Sequence, residues 1–360
     1  MSKPPATTLA ARVEALLVRH WWQARPSGLA RALQPLAWLY GALLQRRRSR
    51  HPAALPAPVP VVVVGNLVVG GAGKTPVVMA LVAGLRAAGW RPGVISRGYG
   101  RDETGPGQAP LQVRPDSDPA AVGDEPLLIC RRTGVPVWVA RQRLAAAQAL
   151  CRQHPEVDVL VADDGLQHQA LARAVDVLVF DERGVGNGLL LPAGPLREPL
   201  PRRVAPRMRV LFSGNATPPL QPALPLQRRL GQALPLQAWW RGDLAQAVPL
   251  QQLQGRPLWA LAGLASPEKF FTMLEAQGLN ILRLPRPDHA RYTTLPWPDE
   301  ARDVITTEKD AVKLPAAAAS GLRVWVVGLD LDLPAAWIAD LSQQLRAAAS
   351  AGQPAPTCPP

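Results

Sequence analysis

The sequence has little cysteine, little lysine and no long apolar run. Its three cysteines, Cys130, Cys151 and Cys358, lie far apart and form no metal or redox spacing. A reducing compartment is expected, with Cys130 and Cys151 acting as small buried hydrophobes. No uninterrupted apolar run approaches the roughly 18–20 residues that cross a bilayer. The N-terminus also lacks the apolar core and small-residue cleavage site of a secretory signal. The expected location is therefore the cytoplasm, or a membrane approached from that side. No internal repeat is found.

Of 40 basic residues only five are lysine. That skew, with 40 prolines, suits a GC-rich genome, so the net charge of +13 alone is not read as function. Its distribution says more. Residues 1–60 hold nine basic side chains (Lys3, Arg12, Arg19, Arg25, Arg31, Arg46, Arg47, Arg48, Arg50) against one acid, Glu14, which is +8 of the +13. Two apolar stretches alternate with them. Residues 7–24 read as a helix with Trp21 and Trp22, and Leu36–Leu44 carries Trp38 and Tyr40 before an arginine run. Aromatics beside an apolar helix and a basic cluster suit contact with anionic lipid. Packing on the protein's own core is the plainer alternative. A nucleic-acid arm fits the charge but not the apolar, Trp-rich company.

What is plentiful is chemistry around one stretch, residues 59–76. Val61–Val64 is a short apolar run bounded by Pro60 and Gly65, which suits a buried parallel strand. Gly70, Gly71, Ala72 and Gly73 follow, then Lys74, Thr75 and Pro76, opening a helix over 77–88. Glycines there let backbone N–H groups close around an anion. Lys74 would reach the β/γ-phosphates and Thr75 would offer its hydroxyl to Mg²⁺. Val68 stands where the usual phosphate-loop pattern has its first glycine, but strand, loop and helix occur in the confirming order.

Strands are also expected at 93–96, 135–139, 157–165, 175–181 and 210–212, with helices between, specifying a doubly wound parallel sheet. The fourth strand in chain order ends in Asp163 and Asp164, placed as partners of Mg²⁺ and its waters, with His168 close behind. Asp124 opens a helix, where a cap and a catalytic acid are equally in keeping. The Pro- and Gln-rich 215–236 reads as a linker to a second, smaller α/β unit over 237–350. Its Pro-rich loop holds Asp288 and His289; a lone histidine is more often structural. Residues 1–50 read as membrane-associating helices, 51–214 as a P-loop nucleotide-binding core and 351–360 as a tail.

The chain resembles the tetraacyldisaccharide 4′-kinase family of lipid A biosynthesis. The likeness lies in seven ordered motifs: 64–76, Ser-Arg-Gly-Tyr (96–99), Gly-Asp-Glu-Pro (123–126), Asp-Asp-Gly-x-Gln-His (163–168), Leu-Pro-Ala-Gly-Pro-Leu-Arg-Glu-Pro (191–199), Pro-Asp-His (287–289) and Thr-Glu-Lys-Asp-Ala-Val-Lys (307–313). The family's own phosphate loop also lacks the first glycine. The resemblance implies a peripheral kinase on the cytoplasmic face of the inner membrane. Its substrates would be ATP with Mg²⁺ and a lipid A disaccharide precursor whose 4′-hydroxyl is phosphorylated. It implies Asp124 and His289 as the pair that deprotonates that hydroxyl. Lys74 and Thr75 would hold ATP and metal, Asp163 and Asp164 the metal side, and Arg197, Glu198 and His168 the cleft. The rival from another class is a membrane-cycling switch ATPase. Its extra loop lysine would fall at position 69, which is Val.

Overall fold

The computed structural model describes residues 16–50, 54–98, 109–168, 170–214, 216–319 and 321–352. The first part of the expected 7–24 helix, Tyr99, the start of the 102–120 loop, Cys358 and the tail beyond 352 lie outside the described residues.

β1 (Val61–Gly65) is buried at every position. Four β-branched valines favour the extended chain, and a strand covered on both faces needs no polar alternation. It lies between β5 (Val159–Asp163) and β6 (Val175–Asp181) in an eight-stranded sheet. The order is β3-β4-β2-β5-β1-β6-β7-β8, with β2 Pro92–Ser96, β3 Leu111–Val113, β4 Val137–Val139, β7 Met208–Ser213 and β8 Leu224–Pro225. Every pairing in it is parallel except β3 on β4. This is the expected doubly wound, P-loop-like sheet. β1 pairs with a strand from later in the chain on each side, so its C-terminal end opens into the crevice where such sheets bind ligands. The register sets Val64 level with Asp163.

Helix α1 (Gln34–Arg50) precedes the sheet. After the glycine loop comes α2 (Lys74–Ala87), which buries Val77, Val78, Leu81, Val82 and Leu85, a stripe at helical spacing. Helix α3 (Asp124–Thr133) starts with two acids and ends at Gly134 in the left-handed region (φ 65°). Helix α4 (Arg143–Gln153) joins β4 to β5.

The second sheet has five strands in the order β11-β10-β12-β13-β9. These are β9 (Arg228–Pro235), β10 (Pro257–Ala262), β11 (Asn280–Pro285), β12 (Asp303–Thr307) and β13 (Arg323–Leu331). All pair in parallel except β9 on β13. Helix α5 (Pro267–Ala276) buries Phe270, Phe271 and Leu274, and α6 (Glu308–Ala311) follows β12.

Two placements differ from the boundaries expected above. Within 215–236, β8 joins the edge of the first sheet and β9 the edge of the second, because Leu224, Leu226 and Leu234 find apolar partners despite the prolines. The closing helix α7 (Ala335–Gly352) returns to the first unit. Its Ile338, Leu341 and Leu345 recur on one face and share a core with Val78, Leu81 and Leu85 of α2. Trp90 Nε1 donates to Ser342 Oγ at 3.1 Å across the same junction. Replacing the fully buried Leu341 by Ala is expected to lower stability by about 2–5 kcal/mol through the cavity it leaves, measured by denaturant unfolding.

Candidate active site

The phosphate loop leaves β1 through Asn66 and is fastened to the 191–199 motif, where Val69 N donates to Pro195 O at 2.9 Å and Arg197 N to Leu67 O at 2.8 Å. Gly70 (φ 85°) and Gly73 (φ 76°) sit in the left-handed region that side chains disfavour. Gly73 is the N-cap of α2, so the loop meets the positive end of that helix. Lys74 Nζ lies 3.4 Å from Asn66 Oδ1 and 3.5 Å from Asp164 Oδ1. Arg197 Nη2 donates to Asn66 Oδ1 at 2.5 Å and to Asp164 Oδ1 at 3.2 Å.

Asp163 is only 2% exposed. Burial, reinforced by Glu125 and Asp164, pushes its carboxyl up to about 7. Asp164 is also raised by burial, but Lys74 and Arg197 outweigh that and hold it below the ordinary range. Its φ of 47° turns the chain sharply out of β5. Arg143 Nη2, from α4, donates to Asp164 O at 3.2 Å and steadies the turn. A buried carboxylate that resists ionisation by itself suits a cation, and Mg²⁺ typically takes one or two carboxylates, water and phosphate oxygens. The donor set Thr75, Asp163 and Asp164 therefore fits the metal, although no group of three or more His, Cys, Asp or Glu clusters among the described residues.

Asp124, the buried first residue of α3, meets His289 from the loop after β11. His289 Nδ1 is 3.0 Å from Asp124 Oδ1 and 3.1 Å from Oδ2. His289 holds φ at 56°, a strained setting in the left-handed region, with its ring against Asp124. Lys309, from α6, sits beside them. Its Nζ is 2.8 Å from Asp288, 2.9 Å from Glu125 and 3.5 Å from His289 Nε2. The Asp124 hydrogen bond raises the imidazole pKa, against burial and Lys309, which lower it. Burial raises Asp124, but His289 and Lys309 bring it below the usual range. Such a pair can accept a proton at Nε2 and hold the resulting charge.

Over the loop lies a cleft of about 190 Å³, lined by residues 71–76, Met79, Leu128, Leu264, Phe270, Asp288 and Lys309 among others; Asp124 and His289 border a neighbouring hollow of about 180 Å³ instead. The cleft combines an apolar wall with the phosphate loop, as a nucleotide site needs. Asp163, Asp164 and Arg197 do not line it; Asp164 pairs with Lys74, which does, and Arg197 pairs with Asp164. Two further expected residues lie apart. Glu198 pairs with Arg48 of α1 at 2.6 Å and borders a different cavity of about 720 Å³. His168 is fixed by its backbone, its N donating to Gly165 O at 2.9 Å and its O accepting from Arg173 at 3.0 Å, and it does not line the cleft.

Lys309, Glu125, Asn66, Asp181 and Lys269 were not singled out in the sequence for a role. Asp181 had a signal, since it ends a buried parallel strand as Asp163 does. Its Oδ2 accepts from Lys269 of α5 at 3.0 Å.

A P-loop cleft with a histidine–carboxylate pair beside it is the arrangement of a phosphotransferase that acts on a hydroxyl. The chain matches the family model described as tetraacyldisaccharide-1-P 4′-kinase (LpxK) over residues 29–346. It is 48% identical over 351 residues to the tetraacyldisaccharide 4′-kinase of Methylibium petroleiphilum, covering 95% of this chain and 96% of that one. The enzyme of that name from Leptothrix cholodnii is 48% identical over 350 residues, covering 95% and 98%. The crystal structure of LpxK from Aquifex aeolicus in complex with ATP matches with a TM-score of 0.70 at 26% identity, covering 88% of this chain and 99% of that one. The chain belongs to the tetraacyldisaccharide 4′-kinase family: it is a lipid kinase of lipid A biosynthesis, with ATP as phosphoryl donor.

The His289 imidazole, followed by NMR, is expected to titrate above its ordinary value of about 6.5. Asp124→Asn should lower that midpoint by removing the partner that raises it. Lys309→Met should raise it by removing the cation that opposes protonation.

Proposed function

We propose that His289, oriented by Asp124, takes the proton of the 4′-hydroxyl of tetraacyldisaccharide 1-phosphate as the γ-phosphoryl group of ATP transfers to it. The observation that carries this is the 3.0 Å contact between residues of the two units, next to Glu125, Asp288 and Lys309, which line the nucleotide cleft. With Nδ1 held by Asp124, Nε2 is the nitrogen that would take the proton of the acceptor hydroxyl. Lys309 sits beside it, a cation that opposes premature protonation. Residues 70–76 cradle the phosphates, and the apolar wall around Leu128, Leu264 and Phe270 receives the base. Thr75 with Asp163 and Asp164 would hold Mg²⁺. When bound, the metal neutralises charge on the phosphate oxygens. Arg197 keeps Asp164 ionised and aimed at Lys74. Glu198 acts at a distance, anchoring α1 through Arg48.

The acyl chains of the acceptor imply a membrane surface, and α1 supports contact with the cytoplasmic face of the inner membrane. Ala37 is buried, Tyr40 Oη donates to Arg197 O at 3.0 Å and Arg48 reaches Glu198, so that face of the helix is tied to the protein. The other presents Leu36, Trp38 (69% exposed), Leu39 (57%) and Leu43, followed by Arg46, Arg47 and Arg50. Apolar side chains ending in arginines suit shallow binding to anionic lipid. Trp21 takes no part; it is buried and its Nε1 donates to Pro192 O at 2.8 Å. No helix among the described residues is long and apolar enough to cross a membrane.

Transfer of labelled γ-phosphate from ATP to tetraacyldisaccharide 1-phosphate in detergent micelles tests the base. His289→Ala and Asp124→Ala should each lower the rate by about 10²–10⁴. Undiminished transfer by both would move the base elsewhere. Replacing Trp38, Leu39 and Leu43 together by Ser should abolish co-sedimentation with anionic vesicles while leaving ATP binding intact. Retained co-sedimentation would sink the membrane role of α1.

A further inference from the structure

Two arginines that the mechanism does not use hold carbonyls of the phosphate loop at successive peptide units, and Arg228 also lines the nucleotide cleft. Arg183, just past β6, donates from Nη2 to Gly71 O at 2.7 Å. Arg228, the first residue of β9 in the second sheet, donates from Nη2 to Ala72 O at 3.0 Å. Each is itself held in place. Arg183 is locked to Asp181, its Nε lying 2.9 Å from Oδ2, and its guanidinium stacks 4.3 Å from the Trp22 ring. Asp181 is in turn tied to Lys269 of the second unit. Arg228 is packed so closely on the loop that a Cβ at Gly73 would stand 2.2 Å from its Nη2.

In a trans peptide the N–H points opposite to the C=O. Fixing the carbonyl of Gly71 therefore fixes the N–H of Ala72, and fixing that of Ala72 fixes the N–H of Gly73. These units are flanked by glycines at 70, 71 and 73, whose backbone freedom would otherwise let the peptides turn over. A cation on the carbonyl also polarises the amide, strengthening what its N–H offers an anion. We infer that Arg183 and Arg228 are positioning residues that hold the loop amides of Ala72 and Gly73 toward the nucleotide phosphates, one arginine from each sheet. The inference rests on residues 70–76 being the phosphate site. It makes the anion site a joint product of the two units rather than a property of the loop alone.

Loop amides of this kind serve the phosphate that ATP and ADP share, so the two nucleotides distinguish a carbonyl clamp from a direct contact. Arg228 Nε is buried with no hydrogen-bond partner among the described residues, and a direct contact with the terminal phosphate is the rival role. The test is calorimetric titration of the full chain with ATP and with ADP, comparing wild type with Arg183→Gln, Arg228→Gln and Arg228→Lys. Loss of one charge-assisted hydrogen bond should weaken ATP and ADP alike by about tenfold to a hundredfold in the Gln variants, with partial recovery in Arg228→Lys. Affinities equal to wild type, even in a variant that melts at lower temperature, would reduce the arginines to structural roles and overturn the inference. Weakening of ATP alone would overturn it in favour of direct contact by Arg228. A wild-type chain that binds neither nucleotide would instead overturn the phosphate-loop assignment beneath it.

Discussion

His289 and Asp124 are 165 residues apart and belong to different units, yet their side chains meet at 3.0 Å. Nearly everything else in the molecule serves to make that contact coincide with the phosphate loop. The parallel sheet delivers β1, β2 and β5 to one crevice, α3 sets Asp124 at its own first turn, and the second sheet carries the histidine loop over the top. The base proposed for His289 would have to stand within hydrogen-bond reach of the acceptor proton, so an error of about an ångström in either unit would be felt in the rate.

The cleft is organised by opposed charges that never fully cancel. Glu125, Asp164 and Asp288 face Lys74, Arg197 and Lys309 across short distances. Asp163, buried and with acidic neighbours, resists ionisation, whereas Asp164, with two cations against it, is held charged. The same residue type thus has opposite tendencies at adjacent positions. Lys309 ties Glu125 of the first unit to Asp288 of the second, so the charge pattern also joins the two halves.

Much of this was legible in the chain itself. Four consecutive valines before a glycine loop define β1, and acids at the C-terminal end of a buried strand mark Asp163 and Asp164. Asp124 and His289 were individually ambiguous, since a first-turn acid caps helices and a single histidine usually fills space. Only the family resemblance paired them. Less legible were features set by tertiary contact. β11 alternates exposed and half-buried residues around Arg283, and its strand character comes from pairing with β10. β9 lies in a Pro- and Gln-rich stretch, and its order comes from β13. Glu198 neighbours Arg197 in sequence but turns to α1, where Arg48 meets it at 2.6 Å, a partner 150 residues away that sequence proximity does not reveal.

The return of α7 to the first sheet means that the second unit is an insertion, entered at β9 and left after β13. Those strands are adjacent and antiparallel, with Arg228 opposite Leu331, so both covalent connections lie side by side at one edge. Arg228 sits beside those connections, while His289 follows β11 at the far edge, three strands from β13 in the order of the sheet. At about 4.8 Å per strand that is roughly 14 Å, so a rotation of about 10° about the connected edge would carry the histidine ~2.5 Å and leave the loop-gripping arginine almost still. The two sites that the second unit brings to the loop thus differ in leverage: the arginine stands where the chain is tethered, the histidine where a tilt would be felt most.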